Sequence, residues 1–350
     1  MSQSSRRDGA RLGRWGRRAV TIPLYVVLFS ASLAALPAIV LITALIDAAR
    51  GSRWALSRCA LFFVFYLGCE VVGIAVAAGL WVGQFAIDPA LYPSWNFRVQ
   101  CWWARTLLAG AQSIFGVRLD VKSLELLDTG PILLFMRHAS VGDTVLPAAL
   151  VSSRKGIRLR YVIKRELLWD PCLDIVGNRL PNYFVRRGSG DSAREIAAVQ
   201  RLAEQLAPDE GVFIYPEGTR FTPERQRRAL DHIRRHGDAD LVARAERLRH
   251  VLPPRLGGTL ALLEAGTGAD AVFCVHFGFD GIRSFYEFLG GGLIDRTIEV
   301  EFWRVPAALM PNGRDDQIDW LYDQWNRVDE WVGCRSGAAS EPSRDAAFPG

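Results

Sequence analysis

The sequence of this 350-residue chain predicts an α/β fold, with a mostly parallel sheet covered by helices and an N-terminal hydrophobic helical hairpin in front of it. Residues 20–46 and 59–87 are long apolar runs, and from residue 117 onward short β-rich runs alternate with helical patterns. Strands separated by helices form sheets that are covered on both faces. At this length we expect one or two domains with a sizeable core.

The chain begins with a basic arm, which two candidate membrane helices follow. Residues 1–19 carry six arginines, and residues 20–46 then run for 27 positions without a charged side chain. That length exceeds the roughly 20 residues that a membrane helix needs, and it is too great for a cleaved signal peptide. We therefore expect residues 20–92 to form a membrane-anchoring helical hairpin, in which the carboxyl group of Glu70 is paired or reaches the interface.

The charges that flank this hairpin predict its orientation. Two crossings would leave the basic arm and the rest of the chain on the same side, and clustered arginines favour the cytoplasmic side. This pattern predicts a protein of the inner, cytoplasmic membrane whose larger part faces the cytoplasm. The link between the two apolar runs also contains arginines, at positions 50, 53 and 58. These arginines leave a second topology possible, in which the hairpin enters only one leaflet and returns without crossing the membrane.

The charged residues and the cysteines indicate which ligands and which cell compartment suit this chain. The formal net charge is +5 and almost every basic residue is arginine, which is typical of a genomic bias but also favours anionic membranes and phosphate ligands. The six cysteines are scattered, without any Cys-x-x-Cys pair. This spacing predicts reduced thiols in a cytosolic domain and no metal site.

From residue 93 the pattern becomes that of a globular domain. Residues 93–118 interleave Trp and Arg at helical spacing, which suits a helix at the membrane surface or one packed on the sheet. Strands are predicted at 118–121, 132–136, 158–163, 183–185, 212–215, 271–277 and 298–303. Helices are predicted at 191–206, 257–265 and 315–332. Residues 333–350 are small and polar, and we expect them to form a flexible tail.

Polar residues with catalytic potential follow the second predicted strand. His138 lies in a turn just after the strand, and Asp143 comes five positions later, where a helix begins and an acidic residue is favoured. A turn could return the carboxylate to the imidazole, fix its tautomer and leave the other ring nitrogen able to take a proton. This is a Ser-His-Asp arrangement without its serine, so the hydroxyl would come from a substrate.

A second polar turn follows the fifth predicted strand. Residues 215–220 read Tyr-Pro-Glu-Gly-Thr-Arg, in which Pro and Gly shape the turn and Arg220 offers a planar fork for phosphate. Strands that each end in a polar turn are what an α/β sheet needs to build a site at its carboxyl edge.

Together these turns resemble the motifs of the glycerolipid acyltransferase family, which contains the 1-acyl-sn-glycerol-3-phosphate acyltransferases. His138-x4-Asp143 and Glu217-Gly-Thr-Arg220 stand in the family's order, each after an apolar strand. Residues 251–258 are similar to a block of the lysophosphatidate and lysocardiolipin acyltransferase branch. The resemblance implies an acyltransferase domain over residues 93–332.

The resemblance implies roles for the residues of the first two motifs. His138 would be the general base that takes a proton from the acceptor hydroxyl, which then attacks an acyl thioester, and Asp143 would orient it. The turn residues Glu217, Gly218, Thr219 and Arg220 would bind the acceptor. Within this turn, Arg220 would meet the acceptor phosphate, and Glu217 would position either the loop or the acceptor.

Further blocks supply the remaining candidates. Phe184 and Arg187 match the family's Phe-x-x-Arg block, so Arg187 would be a second phosphate ligand, with Arg186 as the adjacent alternative. Lys164 precedes this block and is a further candidate for the cleft. Pro254 matches a proline-containing block whose turn could present backbone N–H groups to the oxyanion.

The chain departs from the common family pattern at two places. Tyr215 stands where Phe is common, and the predicted strand 271–277 contains His276 and lacks the usual Thr. We expect neither departure to touch the chemistry, and we expect His276 to be structural or to lie on the surface.

The resemblance implies a membrane-bound O-acyltransferase that acylates the sn-2 hydroxyl of 1-acyl-sn-glycerol 3-phosphate and gives phosphatidate. Its partners would be a lysophospholipid acceptor, an acyl thioester donor (acyl-CoA or acyl-carrier protein) and membrane lipids, with no cofactor, metal or nucleic acid. Another lysophospholipid, such as lysocardiolipin, or a lyso-aminolipid would use the same residues. The sequence also leaves open a CoA-independent transacylase, a metal-dependent hydrolase and a catalytically silent membrane adaptor.

Overall fold

The computed structural model describes residues 3–86, 88–186, 192–282 and 284–338. Within these ranges the strands form one seven-stranded sheet, and four α-helices precede its first strand. The predicted α/β class is confirmed.

The elements are numbered in chain order. The helices are α1 (Gln3–Ala34), α2 (Leu36–Arg50), α3 (Ala55–Gly83), α4 (Tyr92–Phe115), α5 (Ser153–Lys155), α6 (Pro171–Gly177), α7 (Ser192–Gln200), α8 (Pro223–His236), α9 (Ala239–Arg247), α10 (Leu256–Ala265), α11 (Phe285–Leu289) and α12 (Arg314–Ala338). The strands are β1 (Arg118–Lys122), β2 (Ile132–Met136), β3 (Arg158–Lys164), β4 (Tyr183–Val185), β5 (Glu210–Ile214), β6 (Asp270–Phe277) and β7 (Thr297–Val305). A π-helical segment, Pro147–Ser152, precedes α5, and short 3₁₀ turns include Gly142–Val145 and Arg165–Trp169.

The strand order is β1-β7-β6-β2-β5-β3-β4. The five strands from β6 to β4 are parallel, β7 is antiparallel to β6, and β1 pairs in parallel with β7. Every predicted strand is present, within two residues of its predicted bounds. Because β6, β2, β5, β3 and β4 run the same way, the turns that follow them meet at one edge of the sheet.

Both faces of the sheet are buried, as the side chains of β2 show. Leu134 and Met136 belong to a core cluster that includes residues of α4 and of the π-helical segment. Leu133 and Phe135 point the other way and belong to a second cluster with α7, α10 and α12. Successive side chains of a strand face opposite sides, so the fully apolar sequence of β2 follows from its position between two helical layers.

The first predicted membrane helix is divided and extended. Pro37 lies in the first turn of α2, where its missing N–H cannot continue the hydrogen-bond ladder of α1, so the helix breaks at Ala35. At its other end α1 begins at Gln3, and the basic arm is therefore part of this helix rather than a separate segment. Arg17 and Arg18 form ion pairs with the buried carboxylate of Asp174, at 2.6 and 2.9 Å.

Two helical stretches, Gly13–Ala34 and Ala55–Gly83, are long and apolar enough to cross a membrane. One face of α3 packs on α4 and α6, and Phe63, Val72 and Val82 of the same helix are about half exposed. Glu70 lies on the packed face and is fully buried. Its carboxyl group accepts hydrogen bonds from the indole of Trp103 at 2.7 Å and from the backbone N–H of Cys172 at 3.1 Å. It is therefore paired, which was one of the two expectations for it.

The last helix, α12, continues to Ala338, six residues beyond the predicted domain end at 332. At Gly333 the helix lies close to His250: a Cβ at this position would come within 2.9 Å of the imidazole ring, so glycine allows the helix to pass there. The predicted start of the flexible tail at residue 333 is therefore wrong. Residues 339–350 lie outside the described residues.

Candidate active site

The predicted site residues gather at the carboxyl edge of the parallel strands. His138 follows β2, the turn of residues 215–220 follows β5, and Lys164 ends β3. Strands β2 and β5 are neighbours, with Phe135 opposite Ile214. The edge predicted from the order of the motifs is therefore the edge at which the structure brings them together.

His138 and Asp143 are in direct contact. Nδ1 of His138 lies 3.0 Å from Oδ1 and 3.3 Å from Oδ2 of Asp143. The chain returns through the 3₁₀ turn Gly142–Val145, which places Asp143 beneath the imidazole. Oδ2 also accepts the backbone N–H groups of Ala139 at 2.7 Å and Ser140 at 2.8 Å. Since a carboxylate accepts from Nδ1–H, the other ring nitrogen, Nε2, is the one that can take a proton.

Asp143 is fully buried and stays ionised. Burial by itself would raise the pKa of Asp143, but hydrogen bonds from His138 and His276 outweigh this effect and hold the pKa well below its usual range. A permanent negative charge beneath Nδ1 stabilises the imidazolium form of His138. The arrangement can therefore perform general base chemistry on a hydroxyl group.

Tyr215 and His276 also contact the pair, contrary to the expectation from the sequence. The hydroxyl of Tyr215 donates to Oδ1 of Asp143 at 3.0 Å, and its ring stacks on the imidazole of His138 at 4.0 Å between centroids. Nε2 of His276 lies 3.4 Å from Oδ2 of Asp143. The only sequence signal for these contacts was the departure itself, two polar side chains on strands that otherwise read as apolar.

Glu217 is not on the surface of the cleft. Its side chain is buried, and its two oxygens accept the backbone N–H groups of His138 at 3.2 Å and Leu252 at 3.4 Å. Burial, opposed by the positive charge of Arg137 and by these two hydrogen bonds, raises the pKa of Glu217 to about 8. Of the two roles predicted for Glu217, the contacts fit the positioning of loops, since it ties together three turns at the sheet edge.

A cavity of about 1730 Å³ opens beside His138. One part is apolar and is formed by α3 and α4, through Phe62, Phe63, Trp103, Leu107, Leu108 and Ala111. The other part contains His138 and the polar turns after β3, β4 and β5. The cavity thus joins a surface suited to acyl chains with one suited to a charged head group.

Among the residues that the structure describes, the lysine and arginine side chains that line the polar part are Lys164, Arg186, Arg220, Arg225 and Arg255. Gly218 and Thr219 line it as well. Gly218 has a positive φ of 66°, which favours glycine, and a Cβ there would lie 2.7 Å from Cδ of Arg255, so a larger residue would strain the turn and displace this side chain. Arg225 and Arg255 were not predicted as site residues. Arg225 lies outside the motifs, and of the block at residues 251–258 only Pro254 was predicted to contribute. Such a concentration of guanidinium groups favours an anionic ligand.

This chemistry agrees with the comparison against protein families. Residues 118–260 match the sequence model of the Acyltransferase family, and this stretch contains His138, Asp143 and the turn of residues 215–220. Residues 118–260 belong to the acyltransferase family. The resemblance drawn from the motifs is confirmed.

Known proteins similar to this chain include a curated relative and a solved structure. A lyso-ornithine lipid O-acyltransferase of Pseudomonas aeruginosa is 31% identical over 154 residues, which are 44% of this chain and 53% of the relative. The chain thus spans about half the length of this curated relative. The crystal structure of PlsC, the 1-acyl-sn-glycerophosphate acyltransferase of Thermotoga maritima, superposes with a TM-score of 0.51 at 12% identity. The match covers 79% of this chain and 97% of PlsC, and it shows a shared fold.

Two predicted site residues lie away from the cavity, and a third is outside the described residues. Phe184 does not line the cavity, because its ring packs on Gly177, where a Cβ would lie 3.1 Å from Cζ. Pro254 is buried in its turn, and the next residue, Arg255, reaches the cavity instead. Arg187 lies outside the described residues, whereas its predicted alternative, Arg186, lines the cavity.

Proposed function

We propose that this protein is a membrane-associated O-acyltransferase that moves a fatty acyl group from a thioester to the sn-2 hydroxyl of 1-acyl-sn-glycerol 3-phosphate, giving phosphatidate. The observation that carries the proposal is the contact between His138 and Asp143, in an acyltransferase-family domain, at the side of a cavity with one apolar and one cationic part.

The proposed reaction needs no covalent intermediate with the protein. Nε2 of His138 takes the proton of the acceptor hydroxyl as its oxygen attacks the thioester carbonyl. The tetrahedral intermediate collapses to the ester and expels the thiolate, which takes the proton back from His138. Asp143 stabilises the imidazolium that exists between these steps.

The acceptor is held by its anionic group in this proposal. Arg220 and Lys164 line the cavity on the turns after neighbouring strands, and Arg186 lies on the next turn along the sheet. A phosphate monoester can accept several charge-assisted hydrogen bonds from such a set.

A lyso-ornithine lipid is the second candidate acceptor. It is favoured by the 31% identity to the enzyme of that name, a closer sequence relationship than the 12% identity to PlsC. The carboxylate of ornithine would take the place of the phosphate on the guanidinium groups, and the same His138 chemistry would acylate its hydroxyl.

Membrane association through α1, α2 and α3 completes the proposal. These helices expose apolar side chains, and residues of α3 line the apolar part of the cavity. A lipid chain could therefore pass from the bilayer into the cavity beside α3. We place the acyltransferase domain on the cytoplasmic face of the inner membrane, since the arginine-rich start of α1 favours that side.

The test uses the detergent-solubilised protein with labelled oleoyl-CoA or oleoyl-acyl-carrier protein. The acceptor panel contains lysophosphatidate, lysophosphatidylcholine, lysophosphatidylglycerol, lysocardiolipin and a lyso-ornithine lipid. Replacing His138 by Ala should abolish turnover, and replacing Asp143 by Asn should lower kcat by at least about a hundredfold. The matched control is His236→Ala, at the exposed end of α8. A His138→Ala protein with the wild-type rate would refute the mechanism.

The same panel separates phosphatidate synthesis from the competing functions. Product from lysophosphatidate alone supports phosphatidate synthesis, and product from the lyso-ornithine lipid alone replaces it by aminolipid synthesis. Loss of turnover on addition of EDTA would favour the metal-dependent hydrolase. No product with either donor would favour the membrane adaptor.

Arg220 offers an independent check of the acceptor site. Arg220→Ala should raise the KM for an anionic acceptor by roughly ten- to a hundredfold, since it removes a charge-assisted hydrogen bond worth about 1.5–3 kcal/mol. The KM for the acyl donor should change much less. If the acceptor KM stays at the wild-type value, Arg220 does not bind the anionic group.

A further inference from the structure

We propose that Tyr215 and His276 are positioning residues, which set the pH range of the His138–Asp143 pair by donating hydrogen bonds to the Asp143 carboxylate. The catalytic meaning of this inference rests on the proposed function. The contacts themselves, and the chemical modification experiment that tests them, do not depend on turnover.

The first observation is the number of donors on one buried carboxylate. Oδ1 of Asp143 is shared between Nδ1 of His138 and the hydroxyl of Tyr215, both at 3.0 Å. Oδ2 accepts two backbone N–H groups and has Nε2 of His276 at 3.4 Å. A carboxylate offers about four acceptor positions, so two backbone donors and His138 leave room that Tyr215 and His276 occupy.

The second observation fixes the tautomer of His276. Its Nε2 lies 3.0 Å from the backbone oxygen of Arg137 and 3.4 Å from the carboxylate of Asp143, and both neighbours are acceptors. Nε2 must therefore carry the proton. Nδ1 of His276 is buried and has no hydrogen-bond partner among the residues that the structure describes. The Nε2–H thus donates to the backbone oxygen of Arg137 and has the Asp143 carboxylate as its second, longer acceptor.

The third observation is that Tyr215 contacts both members of the pair. Its ring lies nearly parallel to the imidazole of His138, at an angle of 21°, while its hydroxyl reaches Asp143. The stacking holds the plane of the imidazole, and the hydroxyl acts on the charge of its partner. A Phe at this position would keep the first contact and lose the second, so the two effects can be separated by one substitution.

These donors weaken the hold of Asp143 on the imidazolium proton. Every hydrogen bond to the carboxylate stabilises its charge locally and leaves less of that charge to favour protonation of His138. The low pKa of Asp143 agrees with this view, although burial alone would raise it. Loss of either donor should therefore strengthen this hold.

Other ionisable groups lie near the pair but do not donate to Asp143. They belong to the turns and strands packed around it and are Arg137, Glu217, Cys274 and Asp280. Arg137 is paired with Asp280 at 2.7 Å, and Glu217 is held by backbone N–H groups. Among the described residues, the side chains that donate to Asp143 are therefore those of His138, Tyr215 and His276.

The experiment measures protonation of His138 without any acyl substrate. Diethyl pyrocarbonate reacts with the unprotonated imidazole, and mass spectrometry of the peptide that contains His138 gives the rate of modification at each pH. The full-length, detergent-solubilised protein is compared with Tyr215→Phe, His276→Leu and His276→Gln. Gln keeps an N–H donor close to the position of Nε2, whereas Leu removes it.

We expect the midpoint of the modification profile to rise by roughly half a pH unit in Tyr215→Phe and in His276→Leu. His276→Gln should stay near the wild-type midpoint. The acid limb of kcat/KM should move by the same amount wherever turnover is measurable.

Unchanged midpoints in Tyr215→Phe and His276→Leu would overturn the inference, and so would a His276→Gln profile that matches His276→Leu. Should His276→Leu fail to fold, Tyr215→Phe decides, because it preserves the ring in the core. A shifted midpoint in a protein that acylates none of the acceptors supports this inference and refutes the proposed function, so the two failures are distinguishable.

Discussion

Replacing Glu217 by Gln should make the stability of the protein less dependent on pH between about 6 and 9. Glu217 is buried among three turns, and its pKa is raised from an ordinary value of 4.5 to about 8. The folded protein therefore favours the protonated form of the Glu217 carboxyl over the ionised form. Its stabilising effect is complete below pH 4.5, declines as the unfolded chain ionises, and is lost once the pH exceeds about 8.

The size of the effect follows from this shift. A difference of one pKa unit corresponds to about 1.36 kcal/mol, so the full shift is worth roughly 5 kcal/mol, of which roughly 3 kcal/mol falls between pH 6 and pH 9. Gln cannot ionise, so this dependence disappears. It also places an amide N–H₂ against one of the two backbone N–H donors, which costs about 1–3 kcal/mol at every pH.

The assay is thermal unfolding of the detergent-solubilised protein, followed by tryptophan fluorescence at pH 6 and pH 9. At about 2 °C per kcal/mol, the wild type should lose roughly 6 °C more than Glu217→Gln over this interval. Other titrating groups are common to both proteins and cancel in the difference. Equal losses in the two proteins would show that Glu217 does not take up a proton in the folded state, and the reasoning would fail.

Two further substitutions test the packing around the site. Asp174→Asn should lower stability by about 3 kcal/mol and expose α1 to limited proteolysis, because it leaves the guanidinium groups of Arg17 and Arg18 without their buried anion; a wild-type melting temperature and cleavage pattern would contradict this. Gly218→Ala should cost at least about 1 kcal/mol and lower kcat/KM, since it places a Cβ against Arg255 at a positive φ; wild-type kinetics would show that the turn tolerates the side chain.

Much of the fold could be predicted because its signals are local. Each strand of the sheet is a short apolar run bounded by turn residues, and such runs can be read without knowing their neighbours. His138 and Asp143 are five residues apart, so a single turn brings them together. The motif of residues 215–220 is equally local, and its position after β5 placed it at the correct edge.

The errors concern contacts between segments that are distant in sequence. Tyr215 and His276 reach Asp143 only because β5 and β6 lie on either side of β2, an order that no local pattern contains. For Glu217 the motif left open whether it positions the loop or the acceptor, and this was decided by the N–H groups of His138 and Leu252, which set the direction of its side chain.

The sequence by itself determined the α/β class, the strand positions, the His138–Asp143 pair and the turn that carries Arg220. Each of these is signalled by residues that are close together in the sequence. Only the tertiary structure decided which further groups meet this pair, which cations share its cavity, and how the basic start of α1 is attached to α6. These depend on the strand order and on packing between helices, where the free energy comes from contacts that exist only once the whole chain has folded.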